Sequence, residues 1–427
     1  MPIAAGAVLL LIILGVAVAA AFGLAAFLYF FLTGGNPTQV PSVAFRTLDS
    51  FTYLAIPFFL LAGAIMQSGG VSRRLVDAVG LLAGRFKGGL GATLVGASAL
   101  FGSISGSSIA TVSAIGRIMS DGMAARGYPR NYIGALAAVS GILGILIPPS
   151  VPMIVFAVAA NVSIADMFLA GIPAGLLLMA LLILNNWLWA RKRDGLDDRG
   201  LQLLAEGVDA RRGRRRRLLS VIPAILMPMV ILGGIYSGLF TPTESGAIAC
   251  VYGLLVGLLI YRELKPSQVP STFVAGLLAT APILLIIAMG GAFARAVVVS
   301  GAPRDLAAGI TGLELPLWAF LIVLNLTLLI VGMFIEENTA ITILTPLLLP
   351  LVVAYGIDPV QFGVIMVLNL GIGLATPPFA PNLFVAATAT GTSFHRLVMP
   401  ALGLLLRAAV PVLLVVNVLP AFTTFSW

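Results

Sequence analysis

Long apolar stretches dominate this sequence, and they restrict its fold more than any other feature. A helix needs roughly 20 apolar residues to cross a bilayer core about 30 Å thick. Stretches of about that length or more lie at residues 4–32, 218–239, 244–261, 272–294 and 397–422. Because 60% of the residues are apolar and only 9% are charged, most of the surface must face lipid or protein. The sequence therefore predicts an all-α polytopic membrane protein, with the lipid bilayer as its surroundings.

The first apolar stretch is predicted to be a retained transmembrane helix. It holds about 30 nearly continuous apolar residues, whereas the apolar region of a signal peptide has roughly 7–15. No basic residue precedes it, and no cleavage site of small residues stands out among its alanines. We expect residues 1–56 to form an N-terminal scaffold helix and a connection.

The scarcity of reactive side chains argues against an enzyme. The chain has one cysteine, Cys250, and one histidine, His395, which are too few for a disulfide framework, a zinc site or a Cys–His nucleophile. The HExxH, Walker A and GxSxG motifs are also missing from the sequence. An intramembrane enzyme would need a catalytic pair at membrane depth, so we predict no enzymatic activity and no cofactor.

The basic residues cluster in one segment. Residues 191–217 hold ten of the 24 lysines and arginines, which predicts a cytoplasmic loop under the positive-inside rule. RNA binding by this loop is the alternative, but we predict no nucleic-acid partner. The RRGRRRR run at 211–217 also suits anionic lipid headgroups.

Fixing this loop in the cytoplasm sets the direction of every other segment. Residues 88–125 and 316–354 must then enter and leave the membrane on one side, the first from the cytoplasm and the second from outside. On this topology 19 basic residues lie inside and three lie outside, and two more fall within apolar stretches. Only the first loop was placed by charge, so this asymmetry supports the topology.

The two halves of the chain repeat each other. At an offset of 229, six glycines and prolines recur: Gly127, Gly134, Gly144, Pro148, Pro149 and Pro152 fall on Gly356, Gly363, Gly373, Pro377, Pro378 and Pro381. Opposite sidedness makes these repeats inverted, an architecture of many secondary carriers. The predicted organisation is repeat 1 at 57–178 (re-entrant hairpin 88–125, Pro-broken helix 130–160), scaffold helices with the basic loop at 179–281, repeat 2 at 282–406 (hairpin 316–354, broken helix 358–390), and the end of the last helix at 407–427.

Four irregular stretches fall at membrane depth: FGSISGSS (101–108), ILIPPSVP (145–152), IEENTAI (335–341) and LATPPFAPN (374–382). Glycine and proline interrupt helices and free backbone polar groups, which must then be buried in protein or line a wet cavity. Proline kinks are the simpler explanation for one such break. Four breaks at matching places in two halves instead indicate a transport site.

Neutral oxygens and helix ends supply the chemistry of these stretches. The side-chain oxygens belong to Ser103, Ser105, Ser107, Ser108, Asn338, Thr339, Thr376 and Asn382. Such oxygens suit hard monovalent cations, and half-helix N-termini suit anions. We therefore expect two symmetry-related cation sites that flank one anion site.

The acidic residues in membrane segments leave two interpretations open. Glu336 and Glu337 either contact the ion directly or act structurally and electrostatically. Glu244 is expected to cap a helix start, and Arg117 is expected to pair with Asp121 one turn away.

These motifs resemble a known family. The stretches GSISGSSIATVSAIGRIM, ARGYPRNYIGALAA, GILIPPSVPMIVFA, FTPTES, GMFIEENTAITILTPLLLP and GIDPVQFGVIMVLNLGIGLATPPFAPNLFVA are similar to the large membrane (M) subunit of TRAP (tripartite ATP-independent periplasmic) transporters. The resemblance covers essentially the whole chain. It places the chain among ion transporters with paired hairpins, in the bacterial inner membrane.

The resemblance implies an elevator-type secondary transporter that uses Na⁺ as its coupling ion and imports a small organic anion, a carboxylate. It implies two separate partner chains, a small four-helix membrane subunit and a periplasmic substrate-binding protein. A stand-alone sodium/dicarboxylate symporter is the alternative, and which anion is carried stays open.

The family's functional residues map onto this sequence as two sodium sites and one substrate site. The first sodium site corresponds to Gly102, Ser103, Ser105, Gly106, Ser107, Ser108, Pro148, Pro149 and Ser150. The second corresponds to Gly332, Glu336, Glu337, Asn338, Thr339, Thr376, Pro377 and Pro378. Ser108, Asn338 and Asn382 are expected near the substrate. The chain departs from many relatives in having two acidic residues at 336 and 337.

Overall fold

In the computed structural model, every regular element of the described residues is helical. The described residues are 2–83, 86–193, 196 and 214–423. Most of the predicted basic loop, 194–195 and 197–213, lies outside them, as do residues 424–427 of the last predicted segment. Within these ranges, seven helices are long and apolar enough to cross a membrane: Phe51–Ser68, Ile164–Arg191, Pro242–Ile260, Pro266–Val299, Leu317–Phe334, Glu337–Ala354 and Phe394–Val418. The prediction of an all-α polytopic membrane protein is confirmed.

The described α-helices, in chain order, are α1 (Pro2–Ile13), α2 (Val18–Leu32), α3 (Gln39–Leu48), α4 (Ala55–Ser68), α5 (Val71–Ala83), α6 (Gly89–Ser105), α7 (Ser108–Ala124), α8 (Arg130–Ser140), α9 (Leu143–Leu146), α10 (Val151–Ala160), α11 (Ile164–Arg191), α12 (Arg214–Tyr236), α13 (Pro242–Leu255), α14 (Val269–Val299), α15 (Ala302–Thr311), α16 (Leu317–Phe334), α17 (Glu337–Ala354), α18 (Pro359–Leu374), α19 (Pro381–Thr390), α20 (Phe394–Leu404) and α21 (Val410–Val418). Short 3₁₀ helices cover Phe51–Leu54, Pro266–Gln268 and Pro420–Phe422, and π-helical segments cover Val256–Ile260 and Leu405–Ala409.

The N-terminal apolar stretch is two helices, so the prediction of one helix is wrong. The backbone of Gly15 is left-handed, with φ at +80°, and a right-handed helix cannot continue through that conformation. α1 and α2 pack against each other, and α2 also packs against α3 and α14. Phe22 of α2 stacks on Phe293 of α14 with ring centroids 5.6 Å apart, inside a small separate hydrophobic core.

Two other apolar stretches have different bounds from those predicted. The stretch at 272–294 is the middle of α14. This helix has a proline in its first turn and ends before Gly301, whose φ is +77°. The stretch at 397–422 is α20 and α21 joined by the π-helical segment Leu405–Ala409.

Two consecutive helix pairs fall where the sequence predicts hairpins. The first helix pair, α6 and α7, has 17 residues in each helix, and the two helices pack along each other. The second helix pair, α16 and α17, has 18 residues in each helix. Its helices share few contacts, and α16 lies mainly against α18 instead.

Each helix pair contacts both broken helices. The first broken helix runs through α8, α9 and α10 and bends by 42° at its break. The second runs through α18 and α19. α6 and α7 pack against α8, and α7 also packs against α19; α16 and α17 pack against α18, and α17 also packs against α10. This interlocked arrangement positions the four irregular stretches.

Candidate functional site

The first tip, residues 105–108, is a tight turn between α6 and α7. Gly106 has a left-handed backbone with φ at +60°, and its N–H donates to the carbonyl of Gly102 at 2.9 Å. Ser107 is extended and caps α7, with its Oγ accepting from the N–H of Ala110 at 3.4 Å. Glycine at the end of one helix and serine at the start of the next are the residues that such a turn favours.

The first tip is bonded to the end of the first break, which consists of residues 147–150 and leads into α10 at Val151. The N–H of Val151 donates to the carbonyl of Gly106 at 3.2 Å. A Cβ on Gly106 would lie 3.1 Å from the carbonyl oxygen of Pro149, so the backbones approach closely. Ser150 caps α10 and donates from its Oγ to the carbonyl of Ile145 at 2.6 Å. The tip and the break thus form one structural unit.

Buried hydroxyls surround this unit. Ser105 Oγ and Thr111 Oγ1 lie 3.3 Å apart, and Thr111 donates to the carbonyl of Ser107 at 2.8 Å. Ser103 is also buried, and its Oγ donates to the carbonyl of Leu100. The sequence predictions omitted Thr111, which lies one helical turn after the tip. Its position on the same helix face as Ser107 is the signal that identifies it.

The second tip, residues 335–338, carries the acidic pair. Glu336 caps α17 and accepts from the N–H of Thr339 at 3.0 Å, from Thr339 Oγ1 at 3.2 Å and from the amide of Asn338. Glu337 is buried and only 4% exposed. In the described part of the protein, Glu337 Oε2 and Asn338 Oδ1 are buried with no hydrogen-bond donor. Glu336 therefore has a capping role, whereas Glu337 and Asn338 hold free acceptor oxygens.

The end of α16, just before the second tip, meets the end of α18 and the second break, residues 375–380, through backbone and ring contacts. A Cβ on Gly373 would lie 2.6 Å from the carbonyl oxygen of Gly332. Phe334 and Phe379 are in edge contact with centroids 5.7 Å apart. Thr376 Oγ1 donates within its own helix, to the carbonyl of Ile372 at 2.7 Å.

The second tip makes fewer hydrogen bonds to its break than the first tip makes to its own break. Among the described residues, no hydrogen bond joins 336–339 to Thr376, Pro377 or Pro378. Pro378 is exposed. The oxygens predicted for the second cation site are therefore on neighbouring elements that are not bonded to each other.

The two predicted repeats contain a similar glycine contact. A Cβ on Gly102 would lie 2.5 Å from the Cα of Gly144, just as one on Gly373 would clash with Gly332. In each case a glycine near the tip touches a glycine just before the break. The peptide bonds Pro148–Pro149 and Pro377–Pro378 are both cis. The two halves therefore match in local packing as well as in sequence.

Asn382 joins the second repeat to the first tip. Its Nδ2 donates to Ser108 Oγ at 2.7 Å and to the carbonyl of Ala138 at 3.1 Å. Both Ser108 and Asn382 are fully buried, and Asn382 Oδ1 has no donor among the described residues. Of the three residues predicted near the substrate, these two are in contact. In the described part of the chain, Asn338 is not hydrogen-bonded to either of them, and its helix packs against α10 and α18.

Two predictions about charged residues have opposite outcomes. Glu244 forms a capping box with Thr241, accepting from its N–H at 2.8 Å, so the predicted cap is confirmed. The prediction that Arg117 pairs with Asp121 is wrong. Asp121 instead pairs with Arg130 at 3.0 Å, and Arg130 also donates to the carbonyl of Thr390 at 2.8 Å. The turn after α7 brings Arg130 back to Asp121, which helical spacing alone does not predict.

An asparagine cluster at membrane depth was not predicted. Asn369 Nδ2 donates to Asn325 Oδ1 at 2.7 Å, and Asn325 Nδ2 donates to Asn417 Oδ1 at 2.9 Å. The cluster ties the second helix pair to the second broken helix and to α21. Three asparagines inside apolar segments were the available signal, because a buried amide in a membrane seeks a partner.

Comparisons with known proteins identify the family. Residues 5–422 match the DctM component of tripartite ATP-independent periplasmic transporters. The chain is 37% identical over 432 residues to the isethionate TRAP transporter permease protein DctMQ of Oleidesulfovibrio alaskensis. The aligned region covers 100% of this chain but 66% of that protein. It is 40% identical over 393 residues to the C4-dicarboxylate TRAP transporter large permease protein DctM of Pseudomonas aeruginosa, covering 91% of this chain and 88% of the relative.

A solved structure supports the fold independently. The crystal structure of the Alcanivorax borkumensis YdaH transporter is similar with a TM-score of 0.66 at 15% sequence identity, covering 89% of this chain and 87% of that one. The likeness shows a shared fold. The family match spans nearly the whole chain, including both tips and both breaks. The chain therefore belongs to the DctM family, the large permease component of TRAP transporters, as its motifs predicted.

Proposed function

We propose that this chain is the sodium-coupled, elevator-type subunit that imports a small organic anion across the bacterial inner membrane. The bond between the first tip and the first break carries the proposal, because it makes one unit of the oxygens that would hold a cation. Sodium binding at such a unit would fix the tip against the break. The anion site would then take shape between the two tips.

The acceptors that lack donors support the second cation site. Glu337 Oε2 and Asn338 Oδ1 are buried, and an unsatisfied buried oxygen is costly unless a cation or a water meets it. The second site would therefore use these two oxygens as ligands.

The nature of the substrate follows from the relatives. The relative from O. alaskensis is named for isethionate, and that from P. aeruginosa for C4-dicarboxylates. Both are small organic anions, one a sulfonate and the other a dicarboxylate. The N-termini of α7 and α19 begin next to Ser108 and Asn382, and helix N-termini favour anions. We infer a small carboxylate or sulfonate as the substrate.

The partners follow from the family. TRAP transporters combine a large permease with a small membrane subunit and a periplasmic binding protein, and we propose both as partners here. The O. alaskensis relative is longer than the segment that matches this chain, and its name joins M to Q. This supports a second membrane component beside the large permease.

The interlocked helices support an elevator movement. Both helix pairs and both broken helices contact one another, so they are able to move as one body. The helices α1 to α3 and part of α14 share a separate hydrophobic core, which suits a stationary scaffold. Movement of the first body against the second would carry the site across the membrane.

Uptake by reconstituted vesicles tests the proposal. Vesicles holding the large and small subunits receive labelled C4-dicarboxylate or isethionate, with and without the binding protein. We expect uptake only with the binding protein and an inward sodium gradient. Robust sodium-driven uptake without the binding protein would favour the stand-alone symporter, and uptake driven by a proton gradient alone would refute sodium coupling.

Substitutions at the two tips assign the sites. Ser107→Ala and Asn338→Ala should each raise the sodium concentration for half-maximal uptake, one at each site. His395→Ala is the control, since that exposed side chain is at the start of α20, away from the tips. Unchanged sodium dependence in both tip variants would show that the site assignment is wrong.

A further inference from the structure

A cavity of about 230 Å³ lies where three helix ends meet, away from the tips and breaks. Its walls come from the start of α8, the end of α11 and the segment formed by α20 and the π-helical residues after it. Two arginines, Arg193 and Arg407, line it. Among the described residues, no aspartate or glutamate lines the cavity.

An aromatic stack holds the first arginine in place. The rings of Tyr132 and Trp189 lie parallel with centroids 3.7 Å apart. The guanidinium carbon of Arg193 lies 4.4 Å from the centre of the Trp189 ring, and both residues line the cavity. A guanidinium that stacks through its face keeps its N–H edges free to donate.

The π-helical segment aims the second arginine. Asn185 donates from Nδ2 to the carbonyl of Arg407 at 3.3 Å, which fixes the widened turn. A Cβ on Gly403 would lie 3.8 Å from Arg407 Nη2, so the guanidinium folds back over Gly403, another residue of the cavity wall. In the part of the chain that the structure describes, neither Arg193 nor Arg407 has an ion-pair partner.

The surroundings of the cavity are those of a membrane boundary. The predicted topology places the start of α8, the end of α11 and the start of α20 on the cytoplasmic side. Large apolar side chains beside the cavity are exposed, among them Leu188, Met399 and Leu406. Tryptophan, tyrosine and arginine next to exposed apolar residues are typical of the level of lipid headgroups.

We propose that this cavity binds the phosphate group of an anionic phospholipid from the cytoplasmic leaflet. Two free guanidinium groups match the oxygens of a phosphate, and basic pockets between membrane helices on the cytoplasmic side suit such headgroups. Free inorganic phosphate shares this chemistry. The lipid is favoured because part of the wall is apolar, from Met399, Pro400 and Leu404, and suits the glycerol and first methylenes.

Lipid retention tests the proposal on the full-length purified chain. Native mass spectrometry after delipidation counts bound phosphatidylglycerol and, separately, phosphatidylcholine, as each lipid is titrated in. Each arginine lost should weaken phosphatidylglycerol binding about fivefold, and both together about 30-fold. The variants are Arg193→Gln, Arg407→Gln and the double variant. Arg396→Gln is the matched control, because Arg396 is exposed at the start of α20 and does not line the cavity.

The outcomes separate the alternatives. The proposal is supported if the double variant loses one bound phosphatidylglycerol while Arg396→Gln retains it. Arg407→Lys, unlike Arg407→Gln, should also retain it. Equal retention in all variants overturns it. A third outcome would favour the free ion over the lipid. In that case millimolar inorganic phosphate removes the lipid signal, and the chain shows no preference for phosphatidylglycerol over phosphatidylcholine. Thermal unfolding of each variant without lipid shows whether it is folded.

Discussion

Gly373→Ala tests whether the glycine contact between tip and break holds the second helix pair in place. A Cβ at this position would lie 2.6 Å from the carbonyl oxygen of Gly332 and 2.7 Å from its Cα. Ordinary contacts are 3.4–4 Å, so the helix pair or the broken helix must move by about 1 Å. Both sides of this contact are backbone, which cannot yield by rotating a side chain.

The expected change in stability is the difference of two terms. Overpacking of this kind costs about 1–3 kcal/mol, and alanine gains up to about 1 kcal/mol over glycine in a helix interior. Gly373 is next to the last residue of α18, so this gain is small and the net effect should be a loss of about 1–3 kcal/mol. Gly233→Ala is the matched control, since Gly233 is helical with no atom within 4 Å of an added Cβ. It should gain about 0.5–1 kcal/mol.

Thermal unfolding of the two purified variants against the parent measures this difference. Gly373→Ala should melt below the parent and Gly233→Ala at or above it. On the proposed function, a tip displaced by about 1 Å should also raise the sodium concentration for half-maximal uptake, because bound-ion geometry tolerates little misplacement. A variant Gly373→Ala as stable as Gly233→Ala would refute the close backbone contact, whatever its transport.

Three further outcomes are expected. Asn382→Ala should lower stability by about 1–2 kcal/mol in thermal unfolding, because it removes two buried hydrogen bonds between the repeats; an unchanged melting temperature would contradict the bridge. Asn325→Leu should cost about 0.6–2 kcal/mol by the same measurement, since it removes the hydrogen bonds that join Asn325 to Asn369 and Asn417, and a stabilised variant would show that the cluster is dispensable. In a Cys250→Ala background, a cysteine at Ala302 should react with membrane-impermeant reagents from outside and one at Arg212 should not; the reverse pattern would exclude the predicted topology.

Helix ends at the tips and breaks can be predicted from the sequence because glycine and proline act locally. A proline pair ends a helix wherever it stands, and a glycine at a helix end favours the left-handed turn seen at Gly106. The first helix pair begins and ends within two residues of the prediction, at Gly89 and Ala124. Re-entry of the helix pairs into the membrane and the inverted topology stay predictions, as do the roles of the site residues.

Contacts between distant segments could not be read from the sequence. Helical spacing gives Asp121 one candidate partner, Arg117, but the chain turns back after α7 and Asp121 pairs with Arg130 instead. The pairing of Asn382 with Ser108 spans the two repeats, and only the tertiary packing of α19 on α7 brings them together. The splayed second helix pair likewise depends on how α16 packs against α18. Periodicity and local breaks carry no information about such packing.

The bridge from Asn382 to Ser108 has a consequence for the proposed coupling. The first tip is bonded on one side to its own break, through Gly106 and Val151, and on the other to the second broken helix. A cation that draws the second break toward its tip would therefore also act on Ser108, and one at the first tip would act on Asn382. Such linkage is reciprocal, so each ion would tighten the other by the same factor. Two sodium sites joined in this way should fill cooperatively, and Asn382→Ala should make the dependence of uptake on sodium less steep without changing which ion is used.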